Sequence, residues 1–281
     1  MRSVTRWFAA RRRVTALLAL LLAACAQAQA GVSVSVSGNT AVAQISLAGG
    51  YGADLSLTFQ NAQNLSASSL GVSASVVNPL DATLLARLPA GAGLSIPSAF
   101  PVLVSVSPTA LGGLSFSNGV AIELHTHNLV FTQDSPFRLY KAPAGGAFYD
   151  ITGEVASGSV RTRGTTGGFS DFLIVVDTGA AGDTAEDQYD YLEARADSSA
   201  VSSGPRAALL SDLAASRSAF DAGNYTLAGT RLATFRSDLA GYAGNGVPNV
   251  WRAARDLDNV AGDLLAESAS LQFTLARLAS Q

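Results

Sequence analysis

At 281 residues and 28.7 kDa, with 48% of residues apolar and 14% charged, the chain has length for one large or two ordinary domains. Five of its 18 basic residues (Arg2, Arg6, Arg11, Arg12 and Arg13) lie in the first thirteen positions, leaving 13 basic against 21 acidic side chains. That balance excludes the clustered Lys and Arg with which nucleic-acid binders displace counterions. The single cysteine, Cys25, excludes an intramolecular disulfide, a Cys-rich zinc site and a CxxC redox pair.

Residues 1–30 have the three-part build of a secretory signal peptide: a basic, acid-free start, an apolar run and a small-residue cleavage region. The apolar run, Val14 to Ala24, is eleven residues, too short for an ordinary membrane span, which needs about 20. Cleavage sites follow at Ala26-Gln-Ala28 and Ala28-Gln-Ala30. The chain is therefore expected to be exported, to the periplasm, the extracellular space or the outer membrane as a lipoprotein. Leu22-Ala23-Ala24-Cys25 resembles the lipobox of bacterial lipoproteins, in which the cysteine is acylated. The other reading makes Cys25 a small apolar residue lost with the leader. Membrane contact is expected only if Cys25 is acylated.

From Val32 to about Val176 the apolar period is two, as in Val32/Val34/Val36, Leu55/Leu57/Phe59, Val102/Val104/Val106 and Val120/Ile122/Leu124. Phe172 to Val176 is apolar on both alternating sets and reads as a strand buried on both faces. Turn signals such as Gly38-Asn39, Asn118-Gly119 and Gly145-Gly146 separate these runs. This predicts an antiparallel immunoglobulin-like β-sandwich over 31–177, with a helical turn near Asp81–Arg87. A small-residue linker, 178–183, follows, and the period then becomes helical. Thr184-x-x-Asp187 reads as a capping box, and Pro205 starts a second helix. Ala228, Leu232, Phe235, Leu239 and Tyr242 stripe another, and a seam from Trp251 through Leu257 to Leu278 predicts a long last helix. Residues 184–281 are thus expected to form a helical bundle, making an α+β chain of two domains.

Pro136-Phe-Arg-Leu-Tyr-Lys141, Phe148-Tyr-Asp-Ile-Thr152 and Gly168-Phe-Ser-Asp-Phe-Leu-Ile174 resemble an end-of-sandwich pattern of bacterial surface proteins. With the helical turn Asp221-Ala-Gly-Asn224, the whole resembles an uncharacterised family of secreted proteobacterial proteins. The resemblance implies export and architecture, and no activity.

Candidate chemistry centres on the two histidines of Glu123-Leu124-His125-Thr126-His127. On a strand, Glu123, His125 and His127 share one face, with neighbours about 6.8 Å apart at Cα. Two imidazoles at that spacing can converge on a divalent metal with Glu123 as third ligand, or with Asp134, Asp150 or Glu154 from elsewhere. The plainer reading makes them polar residues of a solvent-facing strand, with no cofactor. G-x-S-x-G, GxGxxG and P-loop patterns are absent. Arg138, Lys141, Arg161 and Arg163 read as a basic patch, with Arg161 and Arg163 sharing a face that could meet an anionic glycan. The late-strand aromatics Tyr140, Phe148 and Tyr149 serve a glycan only if exposed. The acidic run Asp183, Glu186, Asp187, Asp190 and Glu193 fits the start of a helix better than a calcium loop. The leading expectation is an exported, non-catalytic structural or interaction module whose partner is an envelope protein or a glycan. A metal-binding protein or metal-dependent hydrolase on His125 and His127 comes second, and a glycan-binding module third.

Overall fold

The computed structural model describes residues 31–90 and 93–281. The expected signal peptide over 1–30, with Cys25, lies outside the described residues. The architecture is mixed α+β, with two antiparallel sheets followed by four long helices. In chain order the first strands are β1 (Gly31–Ser37), β2 (Thr40–Leu47), β3 (Tyr51–Gln63), β4 (Val72–Val76), β5 (Leu94–Ser95) and β6 (Val102–Val106). There follow β7 (Ser115–Thr126), β8 (Phe137–Ala142), β9 (Tyr149–Asp150), β10 (Thr152–Ala156), β11 (Val160–Thr166) and β12 (Asp171–Asp177). Two single-turn helices, α1 (Ala67–Leu70) and α2 (Ala82–Leu85), interrupt them. Asp81 caps α2 by accepting from the Thr83 and Leu84 amides, where the Asp81–Arg87 turn was expected.

One sheet has the order β1-β2-β3-β7-β11-β10, the other β4-β6-β12-β8-β9 with β5 beside β12. Alternation puts Leu55, Leu57, Ile122 and Leu124 of the first sheet and Val102, Val104, Phe172 and Ile174 of the second into one shared core. β12 is indeed buried on both sides. Its Leu173 and Val175 point the other way, into a smaller cluster with Leu84, Leu88, Tyr140 and Phe148.

The helical part is α3 (Ala181–Ala196), α4 (Ser203–Asp221), α5 (Tyr225–Tyr242) and α6 (Val260–Ala279). Tyr189, Leu213, Leu232, Phe235, Leu264 and Leu271 form its own core. Among the described residues no helix is long and apolar enough to cross a membrane.

Two sequence expectations fail here. The first long helix starts at Ala181, ahead of the Thr184 capping box, and its N-cap residue Ala180 makes no side-chain cap. Trp251 is not helical: it belongs to a short strand, β13 (Val250–Arg252), paired with β7 through Trp251 and Phe116. Apolar spacing alone could not see the break between Trp251 and α6. Arg255 takes a left-handed φ of 54°, and Asn259 caps the helix start by accepting from the Gly262 amide at 3.0 Å.

The chain after α5 thus returns to the sheets. Trp251 stacks on Phe116 with centroids 5.1 Å apart and meets Phe169 edge-on at 5.4 Å, inside the sheet core. An asparagine knot holds this return. Asn118 Nδ2 reaches Gln60 Oε1 at 3.0 Å, Asn249 Nδ2 donates to Asn118 Oδ1 at 3.0 Å, and Asn259 Nδ2 donates to the Asn118 and Gly167 carbonyls at 2.7 and 2.8 Å. Because the tryptophan is carried by the helical half and buried in the sheet half, its fluorescence and the helical circular dichroism are expected to report coincident unfolding transitions. Two separated midpoints would show helices that unfold independently of the sheets.

Candidate functional site

The face predicted for Glu123, His125 and His127 is the outer face of the first sheet. β7 lies between β3 and β11, with Asp54 and Arg161 opposite His125, and Ser56 and Arg163 opposite Glu123. Glu123 is occupied: Arg161 Nη1 donates to Oε1 at 3.0 Å and Arg163 Nε to Oε2 at 2.5 Å, while Arg163 also reaches Glu154 at 2.9 Å. Burial opposes ionisation of Glu123, but the two guanidinium groups outweigh it and hold the carboxyl below its ordinary range. The two arginines read as a basic patch are therefore rungs of an ion-pair ladder. Arg138 and Lys141, the other two, are buried in β8. Because the ladder is open to water, Glu123→Gln is expected to cost less than about 1 kcal/mol in urea unfolding, and added salt should shrink even that.

His125 and His127 stand edge-to-face, 4.6 Å apart at the ring centroids. Ser159, in the turn between β10 and β11, lies between them: its Oγ is 3.1 Å from His125 Nε2 and 2.9 Å from His127 Nδ1. Ser159 could not be read from the sequence, because only the register of β11 on β7 brings the hairpin end to the histidines. Asp54 Oδ2 is 3.8 Å from His125 Nδ1 and half exposed, outside hydrogen-bond range, so Asp54 does not hold the ring as the carboxylate behind a nucleophile's base does. Ser159 Oγ also donates to the Gly158 carbonyl. Burial, then Arg161 and His127, hold His125 below its ordinary value, which keeps it neutral at pH 7. Among the described residues no group of three or more His, Cys, Asp or Glu is placed to hold a metal ion. The rings considered for a glycan platform are mostly internal, Tyr140 being 3% and Phe148 2% exposed.

A different place gathers the perturbed chemistry. A cavity of about 270 Å³ opens where β8, β9 and the end of β12 meet α3 and α6. Tyr140 and Asp150 enter as a cross-strand pair of β8 and β9, and Asp177 ends β12. From α3, Thr184, Gln188 and Tyr191 arrive at helical spacing, with Asp183 and Asp187 beside them; α6 supplies Glu267. The acidic run of α3 is thereby divided, since Asp190 and Glu193 instead bind Arg217 at 2.6 and 3.0 Å.

Asp150 accepts from the Thr152 amide at 2.8 Å and from Thr152 Oγ1 at 2.5 Å. Burial nevertheless pushes its carboxyl up to about 6, against those bonds and the charge of Arg138. Glu267 is 3% exposed, and its Oε2 has no partner. Burial first, then the nearby Asp150 charge, raise its carboxyl well above the ordinary range, while Lys141 pulls the other way. Gln188 is also 3% exposed: its Nε2 donates to Ser270 Oγ at 2.8 Å, which leaves Oε1 unpartnered. Tyr149 and Tyr191 stack with centroids 5.8 Å apart, and burial raises both phenols, so they stay protonated. This cavity was missed in the sequence because its walls come from six separate elements and the loop before β5. One signal was available, since Glu267 lies three residues after Leu264 and four before Leu271, on the buried stripe of α6.

Comparison with curated proteins and with solved structures returned no match. A family model does match, over residues 16–279, which is most of the chain. The chain therefore belongs to the Family of unknown function (DUF6689).

Proposed function

We propose that this protein is an exported component of the bacterial envelope that acts as a non-catalytic interaction module, using the cavity beside α3 and α6 as its binding site. In this reading an immunoglobulin-like two-sheet body over 31–177 and the helical part that follows it, with α3 beginning at Ala181, together supply its walls. The observation that carries the reading is the pair of buried, unpartnered acceptors, Glu267 Oε2 and Gln188 Oε1, lining the same cavity. A buried polar atom without a partner costs about 1–3 kcal/mol, and a bound molecule that supplies donors removes that cost. The apolar walls from Leu94, Tyr140, Tyr149 and Tyr191 fit the usual build of a small-molecule site.

Export is tested by producing the full chain in a Gram-negative host, fractionating the cells and sequencing the N-terminus of the product. The expected product is shortened near Ala28 or Ala30, or is membrane-held and released by Cys25→Ala if the lipobox is used. An uncleaved chain in the cytosolic fraction would overturn the envelope assignment.

A further inference from the structure

We propose that the cavity between β8–β9, α3 and α6 binds a small organic cation, a primary ammonium carried on a short apolar body. The inference rests on the binding-module reading and adds the class of ligand. Among the described residues five that bear a carboxyl line the cavity, Asp150, Asp177, Asp183, Asp187 and Glu267, and no Lys, Arg or His does. The carboxyls of the lining outnumber the one cation buried beside it, Lys141, so the cavity favours a cation over an anion.

The two unpartnered buried atoms are both oxygens, Gln188 Oε1 an acceptor and Glu267 Oε2 an acceptor once its carboxyl is ionised. An ammonium group has three donors and no acceptor, which is the complement of Glu267 Oε2 and Gln188 Oε1. Tyr140 and the stacked pair Tyr149 and Tyr191 line the cavity and give apolar surface to the stem of the cation. The carboxyls do not converge as a metal site does, so a bare divalent ion lacks its ligand set. A cavity of about 270 Å³ suits a molecule of only a few heavy atoms.

Protonation of Glu267 couples to this binding. The groups that face it are Asp150 and Tyr149 from β9, Lys141 from β8, Tyr191 from α3 and Asp263 from α6 itself. No ion pair joins Lys141 to Glu267 among the described residues, although Lys141 is buried close by and lies 5.7 Å over the Tyr149 ring. A neutral Glu267 that receives an ammonium gives up its proton to solvent and remains as carboxylate beside the bound cation. Binding therefore strengthens as pH rises toward 8.

The test is calorimetry on the protein purified from cells expressing the full chain, with n-butylammonium as probe and 1-butanol, butyrate and calcium as comparisons. The expected result is saturable binding of butylammonium at pH 8, at least roughly tenfold tighter than butanol, with proton release seen as a dependence of the heat on buffer. Butyrate and calcium should not bind. Glu267→Gln should weaken the ammonium roughly tenfold and abolish the proton release, and Asp187→Asn, at the exposed mouth, should weaken it less without touching stability. Equal binding of butanol and butylammonium, unchanged binding in Glu267→Gln, or no binding by any probe would each overturn the assignment. Binding of butanol as tight as that of butylammonium would overturn the cation alone and leave the binding-module reading standing, whereas no binding by any probe would overturn both.

Discussion

Replacing Gly167 with alanine is expected to destabilise the protein by about 3 kcal/mol, a fall of roughly 6–12 °C in Tm for a chain of this size. A Cβ at Gly167 would stand 2.5 Å from both Asp263 Oδ1 and the Gly262 carbonyl carbon. The obstacle is the first turn of α6, and it cannot withdraw. The Asp263 amide is bonded to the Asn259 carbonyl at 3.1 Å, and the Asp263 carboxylate accepts from Arg195 at 2.7 Å. Gly262 approaches as closely from the other side, where its own Cβ would lie 2.5 Å from the Asn118 carbonyl. Two facing glycines thus let the helix start touch the strand ends, and Asn259 ties the contact with two bonds from one amide. Alanine pushes the helix out, lengthens both bonds and leaves a buried amide short of partners. Gly182→Ala is the control, since nothing lies within 4 Å of its Cβ and alanine is the better helix former. A Gly167→Ala midpoint within 2 °C of the parent, roughly a 0.5–1 kcal/mol effect, would mean that α6 shifts freely on the sheets.

That contact also shows which parts of the fold were legible in the sequence. The strands were, because period-two alternation is a local property and their turns carry glycine: Gly38, with φ 56°, joins β1 to β2, and Gly49 and Gly50 join β2 to β3. The α4–α5 turn was legible for the same reason, with Asn224 capping α5 from the turn itself. Trp251 was not. Its spacing to Leu257 and Ala261 mimics a helix, and only the long-range pairing of Trp251 with Phe116 makes it a strand. The pairing needs partners more than a hundred residues apart, which no window along the chain contains.

The same distinction separates the two candidate sites. Glu123, His125 and His127 could be placed on one face from alternation alone, and they are on one face. What could not be read was their company, because the partners Arg161, Arg163, Asp54 and Ser159 arrive through the register of β3 and β11. The cavity lay further out of reach. Tyr140 and Glu267 meet only once the sheet order makes β9 an edge and α6 covers it, with Ser270 Oγ donating to the Asp150 carbonyl at 3.3 Å.

Between pH 5 and 8 the protein is expected to lose stability as pH rises, through the carboxyls of that cavity. Asp150 titrates near 6 in the folded chain, against an ordinary 3.8, and Glu267 titrates well above its ordinary 4.5. A carboxyl raised by folding keeps its proton longer in the folded state than in the unfolded one. Its contribution is complete below the unfolded value, and it is lost as pH climbs through the folded value. For Asp150 the difference corresponds to about 3 kcal/mol, most of it lost between pH 4 and 6; Glu267 extends the decline to higher pH. Glu123 and Asp258 act in the opposite sense, because arginines hold them low. Their contribution is present above the ordinary carboxylate range and disappears in acid. The two sets together place the stability maximum near the ordinary carboxylate values, at about pH 4. Asp150→Asn keeps an acceptor for both Thr152 bonds, and Glu267→Gln keeps the side-chain shape while removing the titrating group. Each variant should match the parent near pH 4 and exceed it at pH 8, with a flatter slope between. Urea midpoints across pH 4–8 for the three proteins decide the matter. A parent whose midpoint holds or rises from pH 5 to 8, or variants with its slope, would show that these carboxyls ionise inside the fold without cost.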